Sequence, residues 1–429
     1  MGGVAPAVVL LAAVWVSFHP CSGADTLVAL TGATVHTLGP AGSLDHATVL
    51  LRGRRIEAVG REVAIPDGAR RIDATGKVIT PGLFDSLTQL GVVEIGLIPS
   101  TRDDRAREGR ITAAFQVADA INPRSMLIPV SRMGGLTHAM VAPAPGLDLI
   151  GGQGAVIHLG MGDNLLVKSP AAMFGVLGEA GAARIGGARG AAFLRLREIL
   201  QDTRDLADHR TAFLNRRRRE YALSRMDLEA MGRVTEDGLP LVLTVNRASD
   251  IQATLRLARR ERLHLILAGA AEGWMVAAEI AASGVPVLID PLDNLPVRFE
   301  SLGATLENAA RLHAAGVTLA FMSGEAHNAR NLRQAAGNAV AHGLPWEEAL
   351  RAMTLTPARI WGLGDRLGSL EKGKEADLVV WDGDPLEVIT TAEQVFIQGV
   401  EIPMRSRQTR LRERYRRLDR PLPPAYTNP

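Results

Sequence analysis

The 429-residue sequence carries 48 Lys+Arg against 46 Asp+Glu, 47% hydrophobic and 22% charged residues, 44 Gly and a single cysteine. A net charge of +2 excludes a whole-protein field that recruits nucleic acid or anionic membrane, and the composition excludes a disordered or fibrous chain. The length suits one large domain and a smaller one, and Cys21 alone excludes a disulfide framework or a thiolate metal site.

Residues 1–24 contain no Lys, Arg, Asp or Glu. An apolar run from Ala5 to Phe18, the helix-breaking His19-Pro20 and the small residues Ser22-Gly23-Ala24 predict a signal peptide over 1–24, cleaved near Ala24. The expectation is export to a periplasmic or extracellular compartment. The alternative, a retained membrane anchor, has a short apolar run for a bilayer span, so no stable anchor is expected. Lipidation of Cys21 stays open.

Residues 25–79 hold short β-rich segments, Leu27 to Leu38, Ala47 to Leu51, Arg55 to Val59 and Arg71 to Ile79, punctuated by Gly32, Gly53, Gly60 and Gly76. The same pattern returns in 364–403, at Ala376 to Trp381 and Val395 to Gly399. Both ends are expected to pair into one small β-sandwich. Between them, 80–363 alternates buried-type strands with Ala-rich helices. The strands are Leu239 to Val245, Leu263 to Leu267, Val285 to Ile289 and Val317 to Phe321; the helices are Asp250 to Arg262, Gly273 to Ala282 and Leu306 to Ala314. That alternation predicts an α/β fold, a distorted (β/α)8 TIM-like barrel. Arg105 to Asp119 and Ala171 to Arg219 are expected as helical elaborations. The basic tail, 404–429, predicts a helix before its Pro-rich end. Its basic run, like Arg216 to Arg219, reads as a solvated face, because no aromatic or Gly-rich nucleic-acid motif accompanies either; no nucleic-acid partner is expected.

Catalytic groups of such a barrel belong at the carboxyl ends of its strands. At the first, the chain reads Gly76-Lys77-Val78-Ile79-Thr80-Pro81-Gly82-Leu83-Phe84-Asp85-Ser86-Leu87-Thr88-Gln89-Leu90-Gly91. At the far end it reads Thr354-Leu355-Thr356-Pro357-Ala358-Arg359-Ile360-Trp361-Gly362-Leu363, then Leu367-Gly368-Ser369-Leu370-Glu371-Lys372-Gly373-Lys374-Glu375-Ala376-Asp377-Leu378-Val379-Val380. The pair resembles the amidohydrolase superfamily, the metal-dependent hydrolases that include imidazolonepropionases and dihydroorotases, over nearly the whole mature chain. The resemblance implies hydrolysis of C–N bonds in non-peptide or cyclic amides with Zn²⁺ or another divalent metal. In the family a His-x-His follows the first Asp, two imidazoles on one face of a strand reaching one ion.

This sequence departs from that pattern at the ligands. The two family histidines fall on Leu87 and Gln89, the fifth-strand histidine on Thr244 (or Asn246, two residues on), and the eighth-strand aspartate on Gly324, with Glu325 one step further. No histidine follows the sixth strand near Leu265 to Ala270, and the fourth-strand bridging residue finds no match. Leucine and glycine have no donor atom, and neutral amides and hydroxyls are weak ligands. No metal cofactor is therefore expected.

The remaining polar groups each carry two readings. Glu325 and His327 form a relocated acid/base pair, or Glu325 caps the next helix. Asp290 is a general base or binds a ligand amine, or it bonds turn amides. Arg247 clamps a carboxylate, or belongs to a helix start capped by Ser249 or Asp250. Gln89, Thr244, Asn246, Arg247, Glu272 and Asn294 are the substrate-pocket candidates. Gly151 to Gly154 reads as a glycine loop able to approach a ligand, and the remaining histidines, His138 and His158 among them, form no ligand-spaced pair. The expectation is a non-catalytic barrel binding a small molecule, as a homo-oligomer or paired with an intact amidohydrolase paralogue. The alternative is a metal-independent C–N hydrolase using Glu325, His327 or Asp290.

Overall fold

Two sheets, each of eight strands, organise the described residues, and the two ends of the chain share one of them. The computed structural model describes residues 26–107, 111–215 and 217–416. The expected signal peptide, Cys21 and the Pro-rich end of the tail lie outside these residues. The strands in chain order are β1 (Leu27–His36), β2 (Ser43–Arg52), β3 (Arg55–Gly60), β4 (Arg70–Asp73), β5 (Val78–Pro81), β6 (Leu83–Thr88), β7 (Leu136–Val141), β8 (Ile150–His158), β9 (Leu166–Val176), β10 (Leu241–Val245), β11 (Leu265–Gly269), β12 (Val287–Ile289), β13 (Leu319–Phe321), β14 (Leu378–Trp381), β15 (Ala392–Ile397) and β16 (Val400–Glu401).

The first sheet runs β16-β15-β14-β5-β1-β2-β3, with β4 also on β1. It encloses its own core, in which Val28, Leu30 and Val35 of β1 meet Leu378, Val380 and Phe396 from the other end of the chain. The antiparallel join of β14 to β5, Leu378 opposite Pro81, sets the C-terminal return beside the first barrel strand.

The second sheet runs β6 to β13 in sequence order and is the barrel. Its strands are buried on both faces. Phe84, Met140, Val156, Phe174, Val242, Ile266 and Leu288 point inward, and the interior is stoppered by Trp361, Leu363 and Leu367. Their strand neighbours, such as Leu241 and Leu243, face outward under the helices, giving the apolar runs typical of a covered parallel sheet. The expected α/β barrel is present, with one distortion: β8 is antiparallel to both β7 and β9. The barrel closes between β6 and β13 through loop and side-chain bonds. Gly324 N–H donates to the Leu87 carbonyl at 3.0 Å, and Thr88 Oγ1–H to the Glu325 carbonyl at 2.6 Å.

Three local expectations fail for physical reasons. Among the described residues of Arg105 to Asp119 no α-helix forms: the regular piece is a 3₁₀ turn, Val117–Ala120, and the Asp227 carboxylate takes the backbone N–H groups of Thr112 and Ala114 at 3.1 and 2.8 Å. Ala171 to Arg219 begins as the end of β9 before the helices Gly178–Arg184 and Arg189–Leu214, because its small residues pack on both faces of the barrel wall. The Gly151 to Gly154 run lies inside β8 rather than in a loop. At Gly154 a Cβ would stand 2.4 Å from the Phe174 ring, so the glycine makes room for a side chain of the barrel interior. The predicted tail helix is present as Arg407–Arg416. Among the described residues, no helix is long and apolar enough to cross a membrane.

Candidate functional site

Counted from β6, the fifth to eighth barrel strands are β10 to β13, so the mouth gathers the residues that follow Thr88, Val245, Gly269, Ile289 and Phe321. Asp85 anchors this end. Its carboxyl is wholly buried; one oxygen accepts from the backbone N–H groups of Leu87 (3.2 Å) and Ser323 (3.1 Å), the other from the Ser323 hydroxyl at 2.5 Å. These bonds staple the first strand to the eighth across the barrel seam. Burial outweighs them and pushes the Asp85 carboxyl up to about 7, with the Asp290 charge adding to the rise.

The four positions that the resemblance aligns with metal ligands lie on or just after β6, β10 and β13. Leu87 packs against the apolar barrel interior. Gln89 lines a cavity at the rim. Thr244 is half-buried near the end of β10, and Gly324 occupies a left-handed backbone position at φ +66°. The fourth strand, which the sequence left without a bridging residue, is β9: it ends Phe174-Gly175-Val176, with neither lysine nor glutamate. Lys168 lies near its opposite end, bonded to the Trp361 carbonyl at 2.9 Å. Two apolar or glycine positions and two neutral side chains do not fit a divalent cation of this chemistry.

Two cavities open at the mouth. The smaller, about 200 Å³, is lined by Asp290, Ser323, Glu325, Asn328 and Asn331. The larger, about 720 Å³, is lined by Gln89, Arg102, Arg105, Gly324, Glu325 and His327. Glu325 belongs to both. The structure therefore brings Asp290 to Glu325, and Glu325 to His327 and Gln89. Burial raises the Asp290 carboxyl above its ordinary range; the Leu292 N–H bonded to it works the other way, while the charges of Asp293 and Glu325 add to the rise. On the other flank, burial works against ionisation of Asp104, but Arg102 and Arg105 both bond its carboxylate and hold it below the usual range. That wall of the larger cavity presents two guanidinium groups around one buried carboxylate, with Leu97 at its edge, 96% exposed.

The other candidates have different work. Glu272 is structural: it accepts from Ala248 N–H at 3.0 Å at the start of the helix Ala248–Glu261, and from Gly303 N–H at 3.1 Å. Asn246 donates to the buried Glu300 carboxylate at 3.0 Å. Arg247 is the backbone N-cap of that helix and is exposed, so the expected caps Ser249 and Asp250 fall inside it; Asp250 pairs with Arg189 at 2.7 Å instead. Asn294, half-buried in the segment after β12, lines neither cavity. Glu325 does not cap the helix Leu332–Ala341; its carboxylate accepts from Asn328 at 3.0 Å. Asp290 bonds the Leu292 amide at 2.9 Å and also lines the cavity, so both of its readings hold together.

One constellation was not foreseen. His138, Glu375 and Asp377, all buried, bring one ligand atom each to within 4.8 Å of one another. Among the described residues it is the one group of three such side chains at that spacing, and it lies at the opposite end of the strands from the mouth, where β7 begins and the chain returns into β14. The expectation that no metal site exists fails to allow for it. No local spacing announces the group, since its members lie in segments that only the fold joins. Its one sequence cue is Glu375-x-Asp377, inside the second motif of the resemblance.

Comparison with known proteins matches this architecture. The model for the amidohydrolase family matches residues 205–402. The chain is 25% identical over 367 residues to the amidohydrolase tasK of Hapsidospora irregularis, covering 78% of this chain but only 37% of that protein's length. It is 29% identical over 372 residues to the imidazolonepropionase of Aromatoleum aromaticum, covering 80% of this chain and 87% of that one. An amidohydrolase structure from Thermotoga maritima superposes with a TM-score of 0.80 at 27% identity, over 88% of this chain and all of that one. Motif pair, barrel, family match and relatives agree, and the chain belongs to the amidohydrolase superfamily.

Proposed function

We propose that the barrel mouth binds a small molecule without the metal-activated water of the family's C–N hydrolases. The observation that carries this reading is the side-chain set at the ligand positions: Leu87 turned into the apolar interior, with Gln89, Thr244 and Gly324 at the others. Without an ion, water is not brought to a pKa near neutrality and a carbonyl is not polarised. The cavities have their own chemistry. Asp290 and Glu325 accept N–H groups, while Arg102 and Arg105 face the other side and suit a carboxylate. A ligand with N–H donors at one end and an anionic group at the other, such as an N-acyl amino acid, matches both. The test is calorimetric binding and turnover with a panel of N-acyl amino acids and cyclic amides, before and after chelation and with Zn²⁺ or Mn²⁺ restored. Binding without metal-dependent turnover is expected. Turnover that vanishes on chelation, returns with metal and survives His138→Asn overturns the reading.

A second reading, metal-independent C–N hydrolysis, draws on Asp290 and Glu325 sharing one cavity while burial keeps the Asp290 carboxyl raised. It requires chelator-resistant turnover that Asp290→Asn abolishes. We also propose that the chain is exported, which an N-terminus at Asp25 on the secreted protein tests, and that it acts as a homo-oligomer or beside an intact amidohydrolase paralogue, which co-purification and native mass measurement test.

A further inference from the structure

We propose that the floor of the barrel is a structural binding site for one transition-metal cation of the Zn²⁺ class, held by His138 Nε2, one Glu375 oxygen and one Asp377 oxygen. The three side chains are 2%, 8% and 6% exposed. Each is fixed through one atom and leaves the other bare.

His138 Nδ1 lies 3.1 Å from the Thr137 hydroxyl, which itself donates to the Leu83 carbonyl at 3.3 Å. With its hydrogen committed there, the hydroxyl accepts from Nδ1–H, and Nε2 is left with its lone pair. Glu375 Oε1 is held by Arg366, at 2.9 Å from Nε and 2.5 Å from Nη2. Asp377 Oδ1 accepts the Gln398 N–H at 2.7 Å. The remaining atoms, His138 Nε2, Glu375 Oε2 and Asp377 Oδ2, are buried and have no hydrogen-bond partner. A buried polar atom without a partner is costly, so three converging acceptors call for a common occupant that accepts electron pairs.

The donor set selects the ion. One imidazole nitrogen with two carboxylate oxygens suits Zn²⁺, Mn²⁺ or Fe²⁺, whereas Mg²⁺ and Ca²⁺ prefer all-oxygen shells. Charge points the same way. Arg366 offsets Glu375, which leaves the buried Asp377 carboxyl beside it without a countercharge in contact, and a bound dication supplies one. His158, opposite His138 in the ladder, is not part of the set: its Nδ1 accepts the Gly160 N–H at 3.1 Å. The site is distinct from the mouth. It ties β7 of the barrel to the segment that re-enters the first sheet, so its function is to lock the two sheets together.

The test is titration of chelator-stripped full-length protein with Zn²⁺, read by metal content after desalting and by thermal melting. One equivalent per chain and a raised Tm are expected. His138→Asn and Asp377→Asn are expected to lose the equivalent, while Gln89→Ala retains it. Co²⁺-loaded wild-type protein serves if the variants fail to fold: visible d–d bands of a low-symmetry nitrogen/oxygen site are expected. Wild-type protein that binds no Zn²⁺, or shows only the spectrum of aqueous Co²⁺, overturns the proposal in favour of a proton shared between Asp377 and His138. An equivalent lost from Gln89→Ala but kept in His138→Asn places the metal at the mouth, which overturns both this proposal and the functional reading.

Discussion

The two ends of this barrel invert what the family motif leads one to expect. At the mouth, the positions that the resemblance aligns with the family's two imidazoles hold Leu87 and Gln89. At the floor, where the fold only has to be sealed, three ligating side chains converge with bare atoms. The contrast teaches that a strand's backbone signature and its ligand set are separable. Asp85 has a structural task of its own, the seam to Ser323, which does not depend on what the mouth binds.

The largest effect that sharpens this comparison belongs to Asp85. Replacing it with alanine strands the Ser323 and Leu87 amides and removes the seam, at a cost of about 3 kcal/mol, measurable by urea denaturation. Asp85→Asn keeps the shape and isolates the proton. The folded carboxyl titrates at about 7, above its ordinary value near ~3.9, so the folded state holds the proton more tightly than the unfolded chain. Its contribution is full at low pH and is lost as pH rises toward 7, with a slope of at most ~1.4 kcal/mol per pH unit. Asp85→Asn is expected to flatten that part of the stability profile; an unchanged slope would break the account of Asp85 as a protonated staple.

Next in size is Asp290→Asn, expected to weaken binding of whichever N-acyl amino acid or cyclic amide occupies the mouth by about 10–100-fold, since a charge-assisted bond becomes a neutral one. Calorimetry reads this directly, and unchanged affinity would move the ligand away from the smaller cavity. At the other end, Arg366→Gln leaves every ligand atom in place but releases Glu375 Oε1. A fall in Zn²⁺ affinity of about 10-fold or more is expected, the effect of removing an outer partner that orients a ligand. Arg247→Ala is expected to do least: the side chain is exposed and lines neither cavity, so both affinities should stay within about 0.5 kcal/mol of wild type.

Much of the fold was legible in the sequence because its signals are local. Apolar runs marked β10 to β13, turn glycines marked the first sheet, and the two motifs fixed the order of the elements. Reversal of β8 was not legible, since a fully buried strand reads the same in either direction and its glycines mimic a loop. The mouth was half legible. Asp290, Glu325, His327 and Gln89 were named and do line its cavities. Glu272 and Asn246 were named for their place in the chain but are taken up by backbone and carboxylate partners that only the fold supplies. Arg105 was missed because it opens a segment read as helical, and Arg102 because it precedes that segment where no element or motif was read. The floor group was the least legible: His138 lies more than two hundred residues from Glu375, and a lone histidine in an apolar strand ordinarily reads as core.

The most direct test of the inverted barrel is anomalous X-ray diffraction at the zinc edge from crystals of the full-length protein grown with Zn²⁺. The account predicts one strong peak between His138, Glu375 and Asp377 and none beside Leu87 and Gln89. A peak at the mouth, with the floor empty, would contradict it.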